Sequence, residues 1–174
     1  TLLPQIVQAG TLRPAAQVFR AERPLDAETV NDYLNAHPGG VTVLPVDDEG
    51  NCYMVRQFRY PFQRMMLEAP AGKLEYGEDP LECAVRELSE ETGFSADRMI
   101  SLGACCTSPG FSTELLHIYL ALGLHAGESH PDEDEFLYVE KHRLRDISDM
   151  VMSGDIDDGK TIVAVLKAEK FLEA

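Results

Sequence analysis

Three glutamates lie close together in one short segment of the chain, and their spacing is the first feature that suggests chemistry. Glu87 and Glu90 are three residues apart, and Glu87 and Glu91 are four apart, so in a helix the three side chains share one side. Like charges at these spacings destabilise a helix by roughly 0.2–0.5 kcal/mol per pair, and the helix dipole disfavours anions in the last turn. A bound cation would offset both costs. Because no His or Cys accompanies the acids there, the oxygen ligands favour Mg²⁺ or Mn²⁺.

The residues around this cluster predict a helix over Pro80–Thr92. Asp79 is a good N-cap, Pro80 suits the first helical position, and Gly93 provides a left-handed stop. An advance of about 100° per residue places an apolar stripe directly beside the glutamates. This predicted buried stripe consists of Leu81, Ala84, Val85 and Leu88, whereas Glu82, Arg86 and Ser89 take the outer side.

Spacing alone leaves a second interpretation open, in which the glutamates form the solvated acidic face of a surface helix. Arg86 would then reduce the repulsion through Glu82 and Glu90, which lie four residues away on either side. A helix of this kind needs no metal ion. The choice between the two interpretations therefore depends on the wider pattern of residues.

The segment from Gly72 to Phe94 resembles the Nudix box, whose pattern is G-x5-E-x7-R-E-U-x-E-E-x-G-U with U an apolar residue. The match holds at every fixed position over 23 residues, so it is a specific signal. The resemblance implies an α/β (α+β) fold, namely a Nudix-type α/β/α sandwich with a mixed β-sheet and a loop–helix–loop catalytic box. The matching residues are Gly72, Glu78, Arg86, Glu87, Leu88, Glu90, Glu91, Gly93 and Phe94.

The same resemblance assigns roles to residues of the box. It implies that Glu87 and Glu91 are the main ligands of Mg²⁺, for which Mn²⁺ can substitute, and that Glu90 is a further ligand or the partner of a catalytic water. The carbonyl of Ala71 is expected to be another ligand. The residues expected to support the shape of the box are Gly72, Glu78, Arg86 and Gly93.

The sequences on both sides of the box resemble the ADP-ribose pyrophosphatase branch of the Nudix family. Residues 55–61 and 67–73 show the pattern that leads into the box there, and Pro109 follows Gly93 by 16 residues, as in the group that hydrolyses ADP-ribose. The resemblance, which covers about residues 37–174, implies cleavage of ADP-ribose to AMP and ribose 5-phosphate. Two alternatives stay open: a pyrophosphatase for another nucleoside diphosphate sugar, such as GDP-mannose, and a non-catalytic Nudix domain that binds ADP-ribose as a sensor.

Candidate substrate contacts lie in these flanks. Arg59, assisted by Arg56 or Arg64, can offer a planar guanidinium to a phosphate oxygen, although a salt bridge on a strand edge is the other interpretation of Arg56. Glu114 either accepts hydrogen bonds from ribose hydroxyls or is a simple loop acid. The expected substrate-binding residues are Arg56, Arg59, Pro109, Gly110, Phe111 and Glu114.

An acidic run at residues 132–135 is the predicted source of a catalytic carboxylate. It matches a loop that supplies such a group in relatives, although a solvated loop is the simpler interpretation of the charges alone. The resemblance implies that Glu133 or Glu135 orients the attacking water and takes its proton. Glu133, Glu135 and Glu90 are therefore the candidate catalytic acids.

Composition limits the class of protein further. A chain of 174 residues with 44% apolar and 26% charged residues is typical of one globular domain. A net charge of −15 argues against nucleic-acid binding, which needs a basic face, and requires metal ions or placed arginines to attract an anionic substrate. No apolar run approaches the ~18 residues of a membrane span. Buried reduced thiols, and hence a cytoplasmic location, are expected because no C-x-x-C spacing links Cys52, Cys83, Cys105 and Cys106.

Two regions are predicted along the chain. Residues 1–36 form an N-terminal extension with a helix at 27–34, and residues 37–174 form the Nudix domain. In relatives, N-terminal strands exchange across a dimer and contact the base, so we expect a homodimer in which the extension has such a role. The predicted strands are 41–46, 52–58, 67–69, 99–106, 115–122 and 136–140. The predicted last two helices are 144–152, which buries Leu144, Ile147 and Val151, and 161–172, which buries Ile162, Val165, Leu166 and Leu172.

Overall fold

The central feature of the fold is a mixed β-sheet with helices on both faces. The computed structural model describes residues 35–128 and 137–173. Residues 1–34, including the predicted helix at 27–34, and the candidate acids Glu133 and Glu135 lie outside the described residues. The strands are β1 (Gly40–Val46), β2 (Asn51–Arg59), β3 (Arg64–Glu68), β4 (Ala71–Lys73), β5 (Phe94–Cys106), β6 (Leu115–Ala126) and β7 (Leu137–Arg143), and the helices are α1 (Pro80–Thr92), α2 (Leu144–Ser153) and α3 (Gly159–Leu172).

Strand β1 is the centre of the sheet. Its β-branched run is buried along its whole length, as expected for a strand covered on both faces. It runs parallel to β6 with Gly40 opposite Leu116, and antiparallel to β4 with Val41 opposite Gly72. The strand order is β3-β2-β1-β6-β5, and β7 pairs with β2. Parallel and antiparallel pairs in one sheet confirm the predicted α/β fold with a mixed sheet.

Alternate side chains of β1 face two separate apolar cores. Val41 and Val43 pack with Leu88 in a cluster beneath α1. Leu44 belongs to a second cluster, which contains Ile147 of α2 and buried residues of α3. The alternation follows from the pleat of a strand. The layers are therefore helix, sheet and helices, which is the arrangement that the Nudix resemblance implied.

Helix α1 begins and ends where the sequence predicts. The side chain of Asp79 accepts a hydrogen bond from the backbone N–H of Leu81 at 2.8 Å, and Pro80 occupies the first turn. Gly93 adopts φ 73°, and its N–H donates to the carbonyl of Ser89 at 2.9 Å. This left-handed stop favours glycine because a Cβ is strained there.

The predicted buried stripe of α1 is wrong for two of its four residues. Leu81 and Val85 are 43% and 48% exposed, whereas Glu87 and Glu91 are 9% and 2% exposed. The buried arc is thus rotated toward the glutamates. The physical reason is that β4, rather than a purely apolar surface, packs against this side of the helix and provides polar partners for the acids.

The burial predictions for α2, α3 and the cysteines are also confirmed only in part. The stripe of α2 is confirmed, but Leu166 and Leu172 of α3 are exposed because the helix turns small residues, including Ala164 and Ala168, toward the sheet. Buried thiols are confirmed for Cys52 and Cys83, but Cys106 is exposed because it lies near the end of strand β5. Among the described helices, none is both long and apolar enough to cross a bilayer.

Candidate active site

Two buried glutamates of α1 are held against the short strand β4. Oε2 of Glu91 accepts a hydrogen bond from the backbone N–H of Ala71 at 3.0 Å. The carboxylate of Glu87 lies directly over Gly72: a Cβ added at Gly72 would be 1.9 Å from Cδ and Oε1 of Glu87. Gly72 is therefore required for space, since any side chain there would displace the carboxylate.

Arg86 connects the loop before α1 to the acidic side of the helix. Its Nε and Nη2 donate to the two oxygens of Glu78 at 3.1 and 3.2 Å. Its Nη1 donates to Glu87 at 2.7 Å and to Glu90 at 3.0 Å. The hydrogen bonds to Glu78, together with the charges of Glu87 and the bond to Glu90, raise the pKa of Arg86 despite some burial. The box residues Glu78 and Arg86 thus fix the carboxylates of the helix.

These contacts decide between the two interpretations of the acidic helix. Glu87 and Glu91 are buried, so the solvated surface helix is wrong for this pair, whereas the side chain of Glu90 is 40% exposed. Arg86 offsets the repulsion through Glu87 and Glu90, not through Glu82 as that interpretation supposed. Buried carboxylates are retained only with compensating partners, and the hydrogen bonds from Arg86 and Ala71 supply part of that compensation.

The donor set fits a hard divalent cation in its chemistry. Glu87, Glu90 and Glu91 offer carboxylate oxygens, and the backbone of Ala71 lies beside them, which is the type of ligand that Mg²⁺ and Mn²⁺ prefer. In the part of the chain that the structure describes, no three acid, His or Cys side chains already converge on one point. Arg86 instead bonds two of the glutamates, so a cation would compete with this guanidinium for their oxygens.

A second charged cluster lies at the end of β2. Nε and Nη2 of Arg59 donate to the two oxygens of Glu68, each at 2.7 Å, and Lys160 also bonds Glu68. The Glu68 carboxyl is 1% exposed. Its burial raises its pKa, but the bonds from Arg59 and the charge of Lys160 outweigh burial and hold the pKa below its usual value. The cluster thus contains an ionised buried carboxylate.

The charge of one box glutamate, Glu91, acts on Arg59. The hydrogen bond to Glu68 raises the pKa of Arg59 against the effect of burial, and the charges of Asp158 and Glu91 raise it further. Arg59 also lines a cavity of about 230 Å³. The charge of a candidate metal ligand, Glu91, thus acts on a candidate phosphate ligand, Arg59.

Glu68 and Lys160 were not among the predicted site residues. One signal for Glu68 is a charge inside the apolar run at residues 65–69, since charged residues are rarely fully buried unless paired. Lys160 stands in the first turn of α3, where the helix dipole disfavours a cation. Neither signal identifies the partner, which is distant along the chain.

The two other arginines considered for the substrate form ion pairs. Arg56 binds Glu140 of β7, with Nη2 at 2.9 Å from Oε2. The expected salt bridge is confirmed, but the expected strand edge is wrong, because β2 pairs with both β3 and β7 at Arg56. Arg64 is 44% exposed and pairs with Asp157. Neither has a described contact with the glutamates of α1, so Arg56 stays a prediction as a substrate ligand.

The loop after β5 is anchored to the segment that precedes β1. Thr107 donates a hydrogen bond to Glu114, and Nε2 of His37 lies 3.7 Å from Oε1 of Glu114. Pro109, Gly110 and Phe111 are exposed in this loop. In the described part of the chain, the bonds of Glu114 therefore hold the loop in place and do not connect it to α1.

Comparison with known protein families identifies the family of this chain. The NUDIX domain model matches residues 36–164, which is most of the sequence, so the chain belongs to the NUDIX family. Members of this family generally use divalent metal ions. The solved crystal structure of an ADP compounds hydrolase superposes with a TM-score of 0.71 at 24% identity, covering 78% of this chain and 72% of that one. This likeness confirms the fold.

Individual relatives are similar over most of their length. An ADP-ribose pyrophosphatase of Bacillus subtilis (strain 168) is 46% identical over 142 residues, which cover 79% of this chain and 77% of the relative. A methanol dehydrogenase activator of Bacillus methanolicus is 40% identical, covering 86% and 81%. A GDP-mannose pyrophosphatase of Yersinia pestis (strain Pestoides F) is 35% identical, covering 87% and 80%. The predicted Nudix hydrolase acting on pyrophosphate bonds, similar to the ADP-ribose pyrophosphatases, is confirmed.

Proposed function

We propose that this enzyme hydrolyses the diphosphate bond of ADP-ribose to give AMP and ribose 5-phosphate, with Mg²⁺ or Mn²⁺ held by Glu87, Glu90 and Glu91. The observation that carries the proposal is the burial of the carboxylates of Glu87 and Glu91 against β4, with the charge of Glu91 acting on Arg59. A buried acidic pair next to a phosphate-binding cation suits a diphosphate, because metal ions and arginine together neutralise its charge.

Each residue has a proposed task. When bound, the cation would neutralise the diphosphate and lower the pKa of a water molecule. Glu87 and Glu91 hold it with the carbonyl of Ala71, and the more exposed Glu90 binds it or orients the water. Arg59 donates to a phosphate oxygen. Proposed contacts to the rest of the substrate come from Arg56, Pro109, Gly110, Phe111 and Glu114, and the proton acceptor is Glu133 or Glu135, outside the described residues.

Two further proposals concern the setting of the enzyme. Residues 1–36 serve dimerisation or base binding in a homodimer, and residues 37–174 form the catalytic domain. A reducing cytoplasm is supported by the free state of all four cysteines. Sedimentation of the full chain, compared with a variant that lacks residues 1–36, tests the role of the extension.

Hydrolysis of GDP-mannose is a second candidate function. It is favoured by the Yersinia pestis relative, which is named for that activity and is similar over 87% of this chain. The 46% identity to an ADP-ribose pyrophosphatase supports ADP-ribose more strongly. A catalytically silent sensor is disfavoured because the helix glutamates Glu87, Glu90 and Glu91 are all present.

A substrate panel tests the choice. We expect the highest kcat/KM for ADP-ribose among ADP-ribose, GDP-mannose, UDP-glucose, NADH, diadenosine polyphosphates and nucleoside triphosphates, because a site that hydrogen-bonds one terminal group leaves buried polar atoms unpaired with another. A kcat/KM for GDP-mannose or a triphosphate at least about ten times that for ADP-ribose, a difference of about 1.4 kcal/mol, would overturn the assignment of ADP-ribose as the substrate. Binding of ADP-ribose in Mg²⁺ without cleavage would identify a sensor instead.

A further inference from the structure

The charged cluster at the end of β2 contains two residues that the proposed reaction has not used, Glu68 and Lys160. Glu68 is almost completely buried and bonds both Lys160 and Arg59. Lys160 also donates a hydrogen bond to the carboxylate of Asp158, at 2.9 Å. The four charges balance, with two cations and two anions. Removing one member of such a buried set leaves another charge uncompensated, so each member constrains the others.

Register across the sheet explains why Arg59 needs this support. Arg59 of β2 lies directly opposite Arg64 of β3, and like charges at opposed positions destabilise a strand pair. The two side chains have different acidic partners, Glu68 for Arg59 and Asp157 for Arg64. The orientation of Arg59 is therefore set by its carboxylate partner and not by the strand alone.

The bonds to Glu68 use only one edge of the Arg59 guanidinium. A guanidinium has five N–H donors, and Glu68 takes one from Nε and one from Nη2. The opposite edge, formed by Nη1 and the second hydrogen of Nη2, has no hydrogen-bond partner among the described residues and offers a second planar pair of donors. Planar pairs of this kind bind phosphate oxygens in bidentate fashion. Arg59 also lines the cavity of about 230 Å³ that Glu68 and Lys160 line.

We propose that Glu68 and Lys160 are positioning residues, which orient Arg59 so that its outer N–H edge binds the diphosphate of the substrate. Lys160 shares the charge of Glu68, so that the carboxylate holds Arg59 without withdrawing it from the substrate. Asp158 keeps Lys160 in place at the start of α3. The inference rests on the proposed role of Arg59 as a phosphate ligand. The competing explanation is a salt bridge that only ties α3 to the sheet.

Five variants and a matched control separate these explanations. The variants are Arg59→Ala, Glu68→Gln, the double variant of these two, and Lys160→Met, with Lys160→Arg as its conservative rescue. The control is Lys167→Met, which removes a lysine from the same helix that bonds only the carbonyl of Leu102 among the described residues. For each, kcat and KM are measured with ADP-ribose, together with the Kd of its α,β-methylene analogue and the thermal midpoint.

We expect Glu68→Gln to weaken binding of the analogue and to lower kcat/KM by about 10- to 100-fold, the usual value of a charge-assisted hydrogen bond. The double variant should be no worse than Arg59→Ala, since the two residues act as one unit. Lys160→Met should show a smaller loss in the same direction, which Lys160→Arg restores. Lys167→Met should match the wild type. If Glu68→Gln does not fold, the Lys160 pair carries the test.

Two results would overturn the account at different levels. If Arg59→Ala keeps wild-type kcat/KM and Kd, the proposed role of Arg59 as phosphate ligand fails. If Arg59→Ala is impaired but Glu68→Gln and Lys160→Met bind the analogue normally, or if the losses of Arg59→Ala and Glu68→Gln simply add, Arg59 keeps its role and the positioning inference fails. A fall in thermal midpoint with unchanged KM and Kd also supports the purely structural salt bridge.

Discussion

At the scale of single residues, the site depends on how two carboxylates are kept inside the protein. An ionised carboxylate is costly to bury unless hydrogen bonds or cations compensate it. Glu91 accepts a hydrogen bond from the backbone N–H of Ala71. Glu87 accepts a hydrogen bond from Arg86 and lies over Gly72. Glu90, one residue from Glu91 along the same helix, stays 40% exposed. We infer that these different environments would let Glu91 bind metal while Glu90 orients the water.

The close contact at Gly72 gives a direct prediction. In Gly72→Ala the new Cβ meets the Glu87 carboxylate, so the flexible side chain must move while the backbone stays. We expect kcat for ADP-ribose to fall by on the order of 10²-fold, as for a misplacement of about 1 Å at a reacting centre, with a native circular dichroism spectrum. Gly159→Ala, where nothing lies within 4 Å of the new atom, is the control. Equal activity of the two variants would refute the contact.

At the scale of elements, the strands and helices are tied together by a few polar bonds between distant parts of the chain. The backbone N–H of Ala69 donates to Oγ1 of Thr161 at 2.8 Å, and this hydroxyl donates to Asp158, the N-cap of α3. Thr161 is completely buried. The start of α3 therefore fixes the turn that leads into Ala71 and the glutamate site.

Loss of this bond should destabilise the protein. Thr161→Val keeps the shape of the side chain but leaves the buried N–H of Ala69 without an acceptor, which costs about 1–3 kcal/mol. Urea unfolding followed by circular dichroism measures the change, with Ser153→Ala, an exposed hydroxyl at the end of α2, as the reference substitution. A midpoint for Thr161→Val that matches Ser153→Ala would show that the bond contributes little.

Most of the helices and strands could be predicted from local sequence, but the short strand β4 (Ala71–Lys73) was not among the predicted strands, and burial could be predicted only in part. The bounds of α1 follow from Asp79, Pro80 and Gly93, which act within a few residues of themselves. The buried side of α1 could not be predicted because it is set by Ala71 and Gly72, which belong to another strand. Strand β5 begins at Phe94, whereas the sequence predicted a start at residue 99. The predicted start was too late because Asp97 and Arg98 interrupt the apolar pattern, although their backbones still face β6.

The candidate site also contains some residues that local sequence predicts and others that only the packing brings together. The box motif placed Glu87, Glu90 and Glu91 together from sequence spacing alone. Glu68 and Lys160 are 92 residues apart, so only the packing of α3 against the sheet brings them together. Conversely, the pairing of Arg56 with Glu140 depends on the register of β2 with β7, which no local pattern reveals.

At the scale of the whole molecule, an excess of negative charge surrounds a site for an anionic substrate. The chain carries a net charge of −15, and many of the described arginines and lysines are paired with acids. The ion pair between Arg56 and Glu140 of β7 is expected to contribute to stability in acid. The hydrogen bond from Arg56, helped by His142 and opposed by burial, lowers the pKa of Glu140 from 4.5 to about 2.

This pKa predicts how stability changes with pH. A carboxyl with a depressed folded pKa stabilises the protein fully above its unfolded value of 4.5, and that contribution is lost as the pH falls toward about 2. We expect the urea midpoint of the wild type to decrease over this window. Glu140→Gln should be less stable at pH 7 by about 1 kcal/mol, and should converge on the wild type near pH 2. Parallel curves would contradict the assignment. Glu173→Gln, an exposed acid at the end of α3, controls for general charge effects.

The most direct test of the central claim is Mg²⁺-dependent turnover of ADP-ribose by Glu91→Gln, measured beside Glu82→Gln. Both substitutions remove one charge from α1, but Glu91 is buried against β4 and Glu82 is exposed. We expect kcat of Glu91→Gln to fall by on the order of 10²–10⁴, because a lost metal ligand removes transition-state stabilisation, while Glu82→Gln releases AMP and ribose 5-phosphate at the wild-type rate and loses this activity in EDTA. Wild-type turnover by folded Glu91→Gln, or activity that persists in EDTA, would contradict the account.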